Sequence, residues 1–348
     1  MVFVQNNFQF YDQPIVEITK ATLKDKKESV GSPNSKDFLF FQNLVGEIKN
    51  GTQKGQVILL ENTYSFSGAY DHEYQVGDEL FITIQNSDGR NLTGVIDYPK
   101  RDTYVLTAAW LFIMTVFIIG KKSGLFSIVS LIINVLVLSL ALSHYTNSEG
   151  ASLLLICSVL VIFFTIASLV LVSGHNEKTY AAILATLMGT FSALLIAYIV
   201  MRLTAEKGLR YEEMAFVTRS PQKVFLASIL IGSLGAVMDI AITITSSLYE
   251  LYNKNKQIPL KDLKVSGMAI GKDIMGSMTN VLFFAYVSGS IPMLLLYLKN
   301  GAPLNYTLSM NLSLELTRAL VGGIGIVLTI PISIYTATYF IHKRRAIK

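Results

Sequence analysis

The chain has 348 residues, of which 51% are hydrophobic and only 15% charged, with a formal net charge of +5. Its mean hydropathy is +0.47. That balance is too apolar for a water-soluble enzyme of this length and indicates a membrane protein, while the lone cysteine, Cys157, excludes a disulfide framework and a thiolate metal cluster.

Residues 1–102 differ in kind from the rest of the chain. Short alternating runs such as QVILLENT, DELFITIQ and LTGVIDY are separated by Asn50-Gly51, Gly77-Asp78 and Asp88-Gly89. The pattern predicts five or six strands in a small barrel-like β domain, of either the OB or the biotinyl-lipoyl kind. From 103 to 348 the chain predicts a helical membrane domain. Mostly apolar stretches at about 104–120, 124–143, 151–173, 179–201, 224–248, 276–298 and 319–341 give about seven transmembrane helices.

Basic residues orient the spans. Twelve fall on one side, at Lys121 and Lys122, at Lys178, between Lys254 and Lys272, and in the tail HKRRAIK, against seven on the other. The C-terminus is thus expected in the cytoplasm and the β domain outside. An outside domain has to be carried across, yet the opening MVFVQNNFQF has neither a basic nor an apolar signal region; an anchor helix upstream would satisfy the need and raise the count to eight.

Asp239 lies deep inside the fifth apolar stretch, where a charge is expensive and marks a functional site. Thr243, Ser246 and Glu250 come after it at helical spacing, with Gly232 and Ala236 before it, so one stripe of this span is small and polar. The sixth span begins with Lys272 and Asp273 and continues through Thr279, Asn280, Tyr286 and Ser290. The seventh repeats the design with Glu315, Arg318, Gly322, Gly325, Thr329 and Ser333. Three successive helices are therefore expected to turn polar lines toward one interior. For Asp239 the bland alternative is a structural bond or an ion pair with Lys272 or Arg318. Glu315 and Arg318, three apart, are equally suited to pairing with each other.

Three segments carry a resemblance: GSLGAVMDIAITITSSLYEL, SGMAIGKDIMGSMTNVLFFAYVSGSIPMLLLYL and ELTRALVGGIGIVLTIPISI. In these the chain resembles the YibE/YibF-like bacterial multi-pass membrane proteins over roughly residues 100–341, and residues 10–98 are similar to that family's extracytoplasmic β-rich region. Lys272 stands where the pattern often has Arg, and Val281 where a hydroxyl often comes after the Asn. The resemblance implies a location in the bacterial cell membrane and carries no established activity.

Three functions compete. The first is a secondary transporter or permease of an unknown small solute or ion, with Asp239, Thr243, Asn280 and Asp273 lining the path. The second is a membrane-anchored scaffold or sensor that takes a protein partner at its outer β domain. The third is an intramembrane aspartyl protease using Asp239 and Asp273, disfavoured because Asp273 is preceded by Lys and no Pro-Ala-Leu element occurs in the last span. The chain offers no phosphate-binding loop for ATP, no spacing of its four histidines for a metal, no other cofactor signature and no feature of a nucleic-acid binder.

Overall fold

The computed structural model describes residues 7–30, 36–66, 68, 71–86, 92–148, 150–214 and 220–347. The chain divides into two compact units, residues 1–115 and 116–348.

In the first unit, five strands, counted among the described residues, close into a barrel in the order β1-β2-β3-β5-β4. They are β1 (Ile15–Val30), β2 (Lys36–Ile48), β3 (Val57–Ser65), β4 (Glu79–Asn86) and β5 (Leu92–Pro99). All pairings are antiparallel except β3 with β5, and β4 returns to pair with β1. This order is the OB arrangement, which decides between the two barrels the sequence allowed. Alternation builds the core: in β3, Ile58 and Leu60 are buried while Val57 and Leu59 are exposed. Ile15, Val16, Ile18, Leu44, Ile48, Leu80 and Ile82 complete that core with full burial.

The expected turn at Asn50-Gly51 does more than reverse the chain. Gly51 has φ of +78°, which glycine adopts without strain. The buried Asn50 amide donates to the carbonyls of Tyr11 and Gln13, both at 2.9 Å, and its oxygen accepts from the Ile15 amide at 2.6 Å. One side chain thus fixes the segment leading into β1. Asp88-Gly89 lies outside the described residues.

Six helices among the described residues are long and apolar enough to cross a membrane. They are α1 (Asp102–Asn147), α2 (Leu153–Ser173), α3 (Glu177–Leu203), α4 (Pro221–Lys254), α5 (Leu260–Lys299) and α6 (Leu304–Ile347). The apolar stretches of the sequence predict seven. The difference lies in α1, whose 46 residues include one with non-helical backbone, Lys121 at φ 47° and ψ −123°. A Cβ on Gly124 would collide with the carbonyl oxygen of Val116. Those residues would be about 12 Å apart along a straight helix, so the chain doubles back at Lys121.

Local signals set the other boundaries. Gly174, at φ 75°, ends α2; the Asn176 side chain caps α3 by accepting from the Thr179 amide at 3.0 Å; Pro221 opens α4. The last helix is the hub, packing against α3, α4 and α5. Small residues let it approach. Added Cβ atoms on Gly189 of α3 and Gly271 of α5 would collide with Thr329 and Ile330 of α6, and one on Gly325 would meet Ala193 at 3.2 Å and Val237 at 3.1 Å.

Candidate functional site

The candidate residues separate into three groups. Along α4, Asp239 stands 18 residues from one end and 15 from the other, or about 27 and 22 Å, which places it near the middle of any membrane the helix crosses. Gly232, Gly235, Asp239, Thr243 and Glu250 are exposed, with Ala236 and Ser246 half-buried beside them. The small, polar stripe expected from the sequence is therefore one continuous strip; Asp239, Thr243 and Glu250 on it point away from the packed core, while Ala236 borders the core and Gly232 lies against Tyr286 of α5. Among the described residues, Asp239 makes no ion pair or hydrogen bond, and neither Lys272 nor Arg318 reaches it. Glu250 pairs with Lys254 at 3.2 Å, near the end of the helix.

A second group lies on α5. Lys272, Asp273, Ser277 and Asn280 are all exposed on one side of this helix, together with Val281 and Phe284. Two contacts set the level of α5 against α4. A Cβ on Gly232 would collide with the Tyr286 hydroxyl, and one on Gly267 would meet Leu248 at 3.2 Å. Counting along antiparallel helices from these contacts puts Asp273 level with Thr243 and Ser277 close to the level of Asp239, with Asn280 about 3 Å farther along. Thr279 faces the other way. Its methyl would lie 3.3 Å from a Cβ on Gly323 of α6, and it lines an apolar groove of about 440 Å³ with Phe283, Leu316, Leu320 and Ile324.

The third group is inside the bundle. Arg318 and Glu315 on α6 form an ion pair with side chains 15% and 22% exposed. The Arg318 Nε donates to Ser228 Oγ of α4 at 3.1 Å, and its guanidinium lies 5.3 Å from the centre of the Phe225 ring. Both charges are thus held by specific partners, as a buried pair must be. Farther along α6, Gly322, Gly325, Thr329 and Ser333 are buried. The expectation that three polar lines face one interior gives way to a division: the line on α6 is consumed by packing, whereas those on α4 and much of α5 are turned outward. The groove at Thr279 includes none of Asp239, Asp273 and Glu315.

Sequence reasoning missed α3. Thr186 and Thr190 are fully buried, and their hydroxyl oxygens have no hydrogen-bond partner among the described residues, as is also true of Ser333 on α6. The sequence does hold a signal, since Ala182, Ala185, Gly189, Ala193 and Ala197 recur every three or four residues, the spacing of a close helix contact. At one end of α3, Asn176, Glu177, Lys178, Tyr249, Asn253 and Arg344 surround a cavity of about 450 Å³, with Glu177 and Arg344 3.6 Å apart.

In the first unit a cleft of about 930 Å³ is lined by His72, Glu73, Asp78, Glu79, Lys100 and Arg101. The Lys100 ammonium, 1% exposed, sits between Glu79 at 2.5 Å and Asp102 at 3.3 Å. Arg101 Nη2 donates to His72 Nε2 at 2.8 Å. Among the described residues, no three His, Cys, Asp or Glu side chains come together as a metal-holding group.

A helical bundle of this composition and an N-terminal barrel are what one family combines. A family model described as YibE/F-like protein matches residues 108–343. The model for the YibE/F family N-terminal domain matches residues 9–99. No curated protein and no solved structure matches. With both models matched in order along nearly the whole chain, the protein belongs to the YibE/F-like family.

Proposed function

We propose that the chain is a secondary transporter or permease of the bacterial cell membrane, working through an intramembrane acidic site centred on Asp239. The observation that carries this reading is the state of that carboxylate: halfway along a membrane-length helix and without an ion pair or hydrogen bond among the described residues. A structural charge in hydrocarbon is held by a partner, as Arg318 is by Glu315. Asp239 is free to take a proton or a cation, and Asn280 within about 3 Å of its level, with Thr243 and Asp273 one turn away, supplies further oxygen ligands along the same strip.

The topology belongs to the same proposal. The 46 residues of α1 are enough for two membrane crossings and the chain doubles back at Lys121, so we count α1 as two spans divided there, seven in all. The basic loops then leave the β domain, residues 1–102, outside, and the C-terminus of the helical domain, 103–348, in the cytoplasm.

The test is flux. Purified protein in liposomes with an internal pH dye, or with labelled sodium, should carry protons or sodium down an imposed gradient. Asp239→Asn should abolish that flux while the protein still inserts. Undiminished flux in the variant would remove Asp239 from the mechanism.

The cleft beside Lys100 and Arg101 favours the sensor as a second reading, since clustered charges of both signs on a barrel suit a charged peptide. The protease reading has no such support. Asp273 is displaced by about four residues, or 6 Å, along the axis from Asp239, and a catalytic dyad shares one proton within about 3 Å.

A further inference from the structure

We infer that the exposed face of α4 and α5 is where a second copy of this chain docks, forming a two-fold symmetric dimer within the membrane. The argument begins from two helices that bury equally little of themselves. In α1 and α5 alike, only 6% of the most apolar window is buried. The uncovered side of α1 is a lipid surface of Phe112, Ile118, Leu131, Ile132 and Leu136. That of α5 is not, because Lys272, Asp273, Ser277 and Asn280 share it, and Asp239 and Thr243 of α4 lie alongside. Ser277 donates to the Ile274 carbonyl of its own helix at 2.9 Å, but hydrocarbon can satisfy none of the others, so protein or water must cover them.

The occupant is identified by complementarity. Lys272 and Asp273 adjoin in sequence and so lie at one level of the membrane. A two-fold axis along the membrane normal brings equal levels together, which sets Lys272 against the second copy's Asp273 and Asp273 against its Lys272, two pairs from one repeated contact. Asn280 comes within about 3 Å of the level of the second copy's Asp239, close enough for its amide to donate to the carboxylate. The face thus supplies its own counter-charge and its own donor. It is also open to a close approach at Gly235, where nothing lies within 4 Å of an added Cβ. Covered in this way, the two Asp239 carboxylates line the seam between subunits.

Disulfide trapping in native membranes tests the proposal without any measurement of flux. In a Cys157→Ala background, Ser277→Cys and Phe284→Cys should each form a species of twice the monomer mass on mild oxidation. Leu136→Cys on α1 should stay monomeric. Lys272→Asp or Asp273→Lys, added singly to Ser277→Cys, should abolish the cross-link, and both together should restore it. Monomer throughout, a cross-linked product of any other mass, or equal trapping at Leu136→Cys would overturn the dimer. Failure of the double exchange to restore trapping would overturn its charge pairing. A dimer that carries no ion would leave this inference standing and remove only the transport reading.

Discussion

α5 and α6 are neighbours of similar length whose most apolar windows have the same mean hydropathy, 1.9, yet 6% of one window is buried and 61% of the other. Both carry polar residues at helical spacing. What separates them is where the answering groups lie. Arg318 finds Glu315 on its own helix and Ser228 on α4, and Thr329 donates back to the Gly325 carbonyl at 2.7 Å. Among the described residues, Asp273 and Asn280 have no such partners within the bundle. Polar content in a membrane helix therefore says that something other than lipid is met, but not whether that something is the same chain.

The comparison breaks most sharply at the inward pair. Arg318→Ala strands Glu315 among helices, and leaving half of a buried pair uncompensated costs on the order of 3 kcal/mol. Unfolding in detergent should show that loss, whereas Asn280→Ala on the outward face should leave monomer stability nearly unchanged. A comparable loss in both would mean that the two faces do not differ.

Glycines on one helix give the next contrast. Gly271→Ala forces a methyl into Ile330 of α6, an overpacking that should cost roughly 1–3 kcal/mol in the same unfolding measurement. At Gly289 nothing lies within 4 Å of an added Cβ. Gly289→Ala should therefore stabilise, by about 0.5–1 kcal/mol, because glycine only weakens a helix there. If the two substitutions change stability alike, α5 is packed on both sides.

These residues also mark what the sequence could tell. Asp239 and its stripe were legible, because a carboxylate in an apolar run and a 3-4 spacing of small residues are both local signals. So was the barrel, although the run Val57-Ile58-Leu59-Leu60 is apolar throughout and only the fold shows that Ile58 and Leu60 are the buried pair. Direction was not legible. A stripe on α4 has the same spacing whether it faces α6 or the outside, and only the contacts at Gly189, Gly232 and Gly325 fix the rotation of each helix. The hinge at Lys121 shows the reverse case. Two basic residues between apolar runs marked the break in sequence, but not that helical turns continue up to and beyond it, with the reversal confined to the one non-helical residue Lys121.

The smallest effect sharpens the same contrast by comparing like with like. Glu250 and Lys254, at 3.2 Å, are an ion pair one turn apart, as Glu315 and Arg318 are, but their side chains are 69% and 75% exposed. Exposed pairs of this spacing contribute only about 0.3–0.5 kcal/mol, because water and salt screen them and two long side chains must be held still. Lys254→Ala should thus shift unfolding by no more than that, and the shift should vanish in high salt, where Debye screening shortens to a few ångströms. The cost of Arg318→Ala should persist there, since its pair is held among helices with little solvent around it. A salt-sensitive Arg318 would mean that water reaches the inward pair, and the distinction between an inner and an outer polar face would fail at its strongest point.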